Sequence, residues 1–161
     1  MNKSGESSIR ELSTNVDAVY NWSVGSSMER FYRALQEKRI IGVQCPKCKK
    51  VYVPPRMICE FCFAQTEDQI EVGPQGNIVS YTCGNISIDL ERGGLKDQPE
   101  LSIIALIKLD KADSCIVHTL KEMKVTDIAV GRRVEVVWPD ETDGKPARIS
   151  HFRPVIGEDK K

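Results

Sequence analysis

Cys45-Pro46-Lys47-Cys48 and Cys59-Glu60-Phe61-Cys62 are the residues whose type and spacing can do chemistry. A Cys-x-x-Cys turn puts both sulfurs on one side of a tight knuckle. Two facing knuckles offer four thiolates to one ion, the tetrahedral cage that Zn²⁺ favours. The stretch between them, Lys49 to Ile58, carries Val51-Tyr52-Val53-Pro54-Pro55 and is long enough for a short hairpin arm. This is the layout of a zinc ribbon. Two disulfides are the alternative. The first residues, Met1 to Glu6, lack the apolar core of a signal peptide, and no apolar run approaches a membrane span. A cytoplasmic location is therefore expected, where thiols stay reduced and paired cysteines bind metal. Four thiolates saturate a tetrahedral ion and leave no place for water, so the centre is expected to be structural. Iron fits the same cage, but the spacing and the lack of an electron-transfer context favour zinc.

The remaining titratable groups make a weaker case for catalysis. Cys83 and Cys115 are the spare thiols, and both occupy apolar strand positions where cysteine behaves as a small hydrophobe. His118 and His151 read as strand residues with a hydrogen bond. Gly93-Gly94 has no following helix to cradle a phosphate. Charge is balanced, 23 basic against 23 acidic residues in 161, which gives no general attraction to nucleic acid or to an anionic membrane.

The elements that must position these residues follow in order. Residues 1–40 are expected to form an N-terminal helical segment that docks on a partner. Ile9, Leu12, Val16, Val19 and Tyr20 have helical spacing in an arm of residues 1–25. A second helix carries Met28, Phe31, Tyr32 and Leu35 on one stripe, with Ser26 and Glu29 as a capping box. Residues 41–68 are the zinc ribbon, with Gln65 to Asp68 as a polar linker and almost no apolar core of its own. Residues 69–156 turn to strands: Asn77–Asn85, Leu101–Leu109, Ser114–Leu120, Arg133–Trp138 and Ala147–Phe152, with Asp143-Gly144 as a hairpin turn. Lys124 to Val130 supplies a short helical connection between the third and fourth. That order predicts a five- or six-stranded OB-fold barrel. Residues 157–161 form a charged tail expected to be disordered. The fold class is thus mainly β with an N-terminal helix, a rubredoxin-like ribbon and a barrel.

Read together, several pieces resemble a known family. They are Phe31 to Leu35, Cys45 to Cys48, Val53-Pro54-Pro55-Arg56, Gly76 to Thr82, Ala105 to Asp110, Ile128 to Val134 and Phe152-Arg153-Pro154. Their order is similar to that of small proteins joining a helix, a zinc ribbon and an OB-fold that associate with thiolases and other acyl-CoA enzymes. The resemblance implies a non-catalytic accessory subunit of a hetero-oligomer, with a thiolase-like or other acyl-CoA enzyme as partner. It implies a role in holding or shielding the coenzyme A ester, and contacts with neither nucleic acid nor membrane. Under it, Arg56, Arg132, Arg133 and Arg153 are candidates for the coenzyme A phosphates, with Arg148 nearby in sequence, and the apolar arm Val51 to Pro55 would pack on the partner or the acyl chain. Family knuckles often carry glycine after the second cysteine, where this chain has Lys49 and Phe63. A single-stranded nucleic-acid-binding protein is the rival reading. Tyr81, Trp138 and Phe152 are the main strand aromatics, and no dense basic stripe lies among them.

Overall fold

A computed structural model describes residues 23–88, 95–139 and 148–155. Residues 1–22 of the expected arm, Gly93-Gly94, the Asp143-Gly144 turn and the charged tail lie outside the described residues.

Helix α1 runs over Ser26–Gln36. The expected capping box is corrected here: Gly25, not Ser26, holds the N-cap, and no side chain caps the helix. Gly25 supplies its carbonyl to the Glu29 N–H at 3.0 Å from a left-handed φ of 78° that suits glycine. Glu29 pairs instead with Arg33, one turn on. The buried stripe is Phe31, Ala34 and Leu35, while Tyr32 is 39 % exposed. At the other end Lys38 takes a left-handed φ of 55°, and the Arg39 N–H reaches back to the Ala34 carbonyl. That 6→1 bond, with Lys38 N–H to the Leu35 carbonyl, closes the helix in a Schellman turn without glycine.

The helix packs on β1 (Ile40–Gln44), the middle strand of a three-stranded antiparallel sheet with β2 (Val51–Tyr52) and β3 (Asp68–Val72). β3 pairs with β1 from Ile40↔Val72 to Gln44↔Asp68. The ribbon sheet therefore runs past the 68/69 boundary that the polar composition of Gln65 to Asp68 suggests. Hydrogen bonding to β1 outweighs that composition. Gly42 lets β1 and β2 come together: a Cβ there would lie 2.6 Å from the Tyr52 carbonyl oxygen.

The remaining strands, β4 (Gln75–Ile88), β5 (Leu95–Leu109), β6 (Ile116–Leu120), β7 (Arg133–Val137) and β8 (His151–Pro154), close a five-stranded barrel in the order β4-β5-β6-β8-β7. β6 and β8 pair in parallel and β7 returns to β4, which is the OB-fold connectivity. A 3₁₀ turn at Val125–Asp127 sits in the expected connection. Bulges fall between Ile78 and Ser80 and between Gly84 and Ile86 of β4, where a closing sheet must bend.

One apolar core serves all three parts. Phe31 and Leu35 of the helix, Ile40, Ile41, Val51, Val53 and Val72 of the ribbon sheet, and Ile78, Ile107, Leu109 and Phe152 of the barrel form a single buried cluster. The expectation of a ribbon with almost no apolar core is thereby corrected. The β5–β6 turn fastens the join. Asp113 Oδ2 accepts from the Val51 N–H at 2.8 Å. Ser114 Oγ accepts from the Val53 N–H at 2.7 Å and donates to the Val53 carbonyl at 2.9 Å.

Candidate functional site

The two knuckles are built alike. The Lys49 N–H donates to the Cys45 carbonyl at 2.9 Å, and the Cys45 N–H donates to the Lys50 carbonyl at 2.8 Å. In the second knuckle Phe63 N–H reaches the Cys59 carbonyl at 3.0 Å, and Cys59 N–H reaches the Ala64 carbonyl at 2.9 Å. Each loop must reverse after its second cysteine, which requires a left-handed residue. Lys49 (φ 61°) and Phe63 (φ 56°) take that conformation although neither is glycine. The knuckle geometry thus survives the sequence departure, at about 1–2 kcal/mol of steric cost per residue.

This folding brings the four sulfurs of Cys45, Cys48, Cys59 and Cys62 to within 4.8 Å of one another. Cys45 and Cys62 approach to 3.4 Å and Cys48 and Cys59 to 3.5 Å. A zinc ion with four bonds of about 2.3 Å needs sulfur separations of about 3.8 Å, so the donor set fits that ion in number, kind and spacing. The surroundings bias the thiols unequally. The Tyr52 hydroxyl, 3.2 Å from Cys59 Sγ, is the chief cause of a Cys59 pKa lowered to about 6. The Cys48 N–H chiefly lowers Cys45. At Cys48 the Lys50 N–H pulls downward, but burial and the neighbouring thiols win and raise it to about 11. Cys62 is likewise raised: the Ala64 N–H pulls it down, and burial and its neighbours outweigh that pull. A divalent ion held by all four sulfurs would displace protons from this set and cross-link the two knuckles.

Tyr52 is the site residue that spacing did not reveal. It is 1 % exposed, burial chiefly raises its pKa, and its hydroxyl is spent on a ligand sulfur. The available signal is that it is the one hydroxyl in an otherwise apolar arm. The arm itself is not a free surface: Val51, Tyr52 and Val53 are 4, 1 and 2 % exposed, and Pro55 is buried. The expectation that this arm packs on a partner or an acyl chain is corrected for Val51, Tyr52, Val53 and Pro55, which are buried within the chain itself, while Pro54 is exposed.

The candidate arginines are not gathered into one site. Arg56 pairs with Glu60 at 2.7 Å and lies over the Tyr52 ring. Arg132 donates to the Asp127 carbonyl at 2.8 Å. Arg133 grips both carboxylate oxygens of Asp110 at 2.7 Å and reaches Gln75 Oε1 at 2.9 Å, and this guanidinium holds the Asp110 carboxyl below its ordinary range. Arg153 donates to Glu135 at 3.0 Å and faces Glu122 at 3.6 Å. Arg148 opens the last described segment.

Cys83 packs partly on the barrel core, and Cys115 lies just before β6. His118 stacks edge-on against Phe152 at 5.6 Å, and burial lowers its pKa. His151 joins Glu122 at 2.8 Å, with Ser150 Oγ 3.0 Å away. Among the described residues, neither histidine is hydrogen-bonded to a spare thiol. A cleft of about 220 Å³ lies between the start of α1 and the second knuckle, lined by residues including Arg30, Met57, Thr66 and Glu67. No helix among the described residues is long and apolar enough to cross a membrane.

Comparison with known proteins agrees with this architecture. Residues 33–68 match the family described as ChsH2, rubredoxin-like zinc ribbon domain. A crystal structure of a protein of unknown function from the DUF35 family of Sulfolobus solfataricus superposes with a TM-score of 0.56 at 26 % identity, covering 70 % of this chain and 78 % of that one. The structure described as Ltp2-ChsH2(DUF35) aldolase shares the fold with a TM-score of 0.61 at 21 % identity, over 83 % of this chain and 98 % of that one. A Methanocaldococcus jannaschii protein described as a DUF35 domain-containing scaffold protein is 30 % identical over 133 residues, 78 % of this chain and 89 % of the relative. With its zinc ribbon, its closed five-stranded barrel and that extent of identity, the chain belongs to the DUF35 family.

Proposed function

We propose that this chain is a non-catalytic scaffold subunit of a heteromeric acyl-CoA enzyme, its partner being of thiolase type, and that zinc held by Cys45, Cys48, Cys59 and Cys62 is structural. The observation that carries the reading is how the chemistry-bearing groups are used. The four knuckle sulfurs face one another closely enough to fill a tetrahedral ion, leaving no open position for a reactant. A thiolase reaction needs a thiol activated by a base. Instead, both ring nitrogens of His151 are engaged by Ser150 and Glu122, His118 Nδ1 lies 3.4 Å from the Thr119 hydroxyl, and among the described residues neither ring is hydrogen-bonded to a spare thiol. The scaffold description of the Methanocaldococcus relative and the aldolase complex containing a DUF35 domain support the same role.

If the chain meets the coenzyme A phosphates directly, the arginines differ in what they must give up. Arg133 would break a two-toothed, partly buried pair with Asp110. Arg56 would break a pair in which both side chains are about half exposed, worth about 0–1 kcal/mol. Arg132 would give up a hydrogen bond to the Asp127 carbonyl, and Arg153 its contacts with Glu135 and Glu122. Arg56 and Arg132 are therefore stronger phosphate candidates than Arg133 and Arg153. The test is to purify the chain alone and with a co-expressed thiolase-type subunit. The pair should cleave or condense acyl-CoA, and the chain alone should not. Full activity in the isolated chain would overturn the scaffold role.

A further inference from the structure

The chain buries Val51, Tyr52, Val53 and Pro55 of its arm and displays other apolar residues at the second knuckle. Met57, Phe61 and Phe63 are 62, 60 and 78 % exposed. Phe63 is out of place twice over. It is an aromatic residue in water, and its backbone sits in the left-handed region, which a bulky side chain enters only under strain. With so little of its surface covered, its ring returns almost nothing to the fold that strains it. Charge adds an independent observation. Lys47, Lys49 and Lys50 belong to the facing knuckle, and the Lys50 ammonium lies 3.9 Å over the Phe61 ring. Among the described residues, no carboxylate pairs with any of these three lysines. Glu60, the acid at this tip, is taken by Arg56.

We infer that this knuckle tip, Phe61 and Phe63 rimmed by Lys47, Lys49 and Lys50, is the docking surface for the partner enzyme subunit. The complementary face is an apolar pocket bordered by carboxylates. Two rigid aromatic anchors supply the binding energy of such a contact. The lysine rim supplies orientation and association rate. The inference rests on the scaffold reading above and places its contact at the tips of the two knuckles instead of in the arm between them.

The test measures affinity between the holo chain and the co-expressed thiolase-type subunit. Phe61→Ser with Phe63→Gly should weaken binding at least tenfold. Glycine accepts the left-handed backbone, so the isolated variant should keep its zinc stoichiometry and show an unchanged or higher Tm. Phe63→Gly alone should weaken binding in the same direction and guards against a folding defect in the double variant. Lys47→Glu with Lys50→Glu should slow association and flatten its dependence on salt. Unchanged affinity in the phenylalanine variants would overturn the docking surface and leave the scaffold reading standing. No complex with the wild-type chain would overturn both. If the wild-type chain binds single-stranded DNA with steep salt dependence, and the phenylalanine changes abolish that binding but spare the partner, the surface is a base-stacking platform and the inference is wrong.

Discussion

Tyr52 shows how one side chain ties local chemistry to the fold. Its ring fills the small core behind the knuckles with Val43, Cys45 and Cys59, and its hydroxyl reaches the Cys59 sulfur. Removing that hydroxyl should leave packing nearly intact but withdraw a hydrogen bond from a ligand. Changes of this kind typically cost 10–100-fold in metal affinity. Tyr52→Phe is therefore expected to hold zinc about tenfold less tightly in chelator competition, with little change in fold. His118 makes a different prediction. Its folded pKa lies below the ordinary 6.5 because burial disfavours the imidazolium. The unfolded chain then takes up the proton first as pH falls. The stability His118 contributes is complete above about pH 6.5 and is lost as pH falls from there through the folded pKa. Melting across about pH 5 to 8 in excess zinc should show that slope, and His118→Gln should flatten it. The four ligands were legible in the sequence because two Cys-x-x-Cys pairs encode their own geometry. Tyr52 was not, since its role depends on a strand pairing that carries β2 past the second knuckle.

At the scale of elements, the β5–β6 turn helps hold the ribbon to the barrel beside the bonds of the Gly73-Pro74 connection. Ser114 both donates to and accepts from Val53. Ser114→Ala would strand the Val53 N–H, a loss of about 1–3 kcal/mol readable by urea denaturation. Gly42→Ala should act through the neighbouring pairing. Its Cβ would collide with the Tyr52 carbonyl oxygen, a backbone atom that cannot swing away. We expect about 1–3 kcal/mol of destabilisation, with weakened zinc binding as β2 carries the Tyr52 hydroxyl away from Cys59. Strand order was readable from apolar runs such as Leu101–Leu109 and from the helical connection near Val125. β3 was not. Asp68-Gln69-Ile70-Glu71-Val72 is polar along most of its length, and what makes it a strand is the unpaired edge of β1. The Ser26 capping box failed for a related reason. Gly25 can take the left-handed turn into the helix, so the helix starts one residue earlier than the serine–glutamate spacing implies.

For the whole molecule the shared core sets how metal and fold are linked. Structural zinc contributes on the order of 10 kcal/mol in small domains, comparable to the whole stability of an ordinary protein. Because Val51 and Val53 pack in the same cluster as Ile107 and Leu109, losing the ribbon also unroofs the barrel. The holo chain should unfold in one transition. Chelation should lower the Tm reported by Trp138, which packs on this core, in a Trp22→Phe background that leaves it the single tryptophan. A barrel that keeps its Tm after complete metal removal would show two independent units. The β4–β5 hairpin has a further effect on how the molecule is handled by proteases. β4 and β5 run 14 and 15 residues where the other barrel strands run four or five. From Gly84↔Ser102 outward to Ile88↔Leu95, they pair with each other and, among the described residues, with no third strand. Five residues of such a ribbon extend about 17 Å. Two-stranded ribbons hold poorly in water. Limited proteolysis should therefore nick this hairpin first. The two halves should stay together through the remaining β4–β5 pairing and the β4–β7 pairing, and the nick should slow wherever assembly lays another surface along these strands.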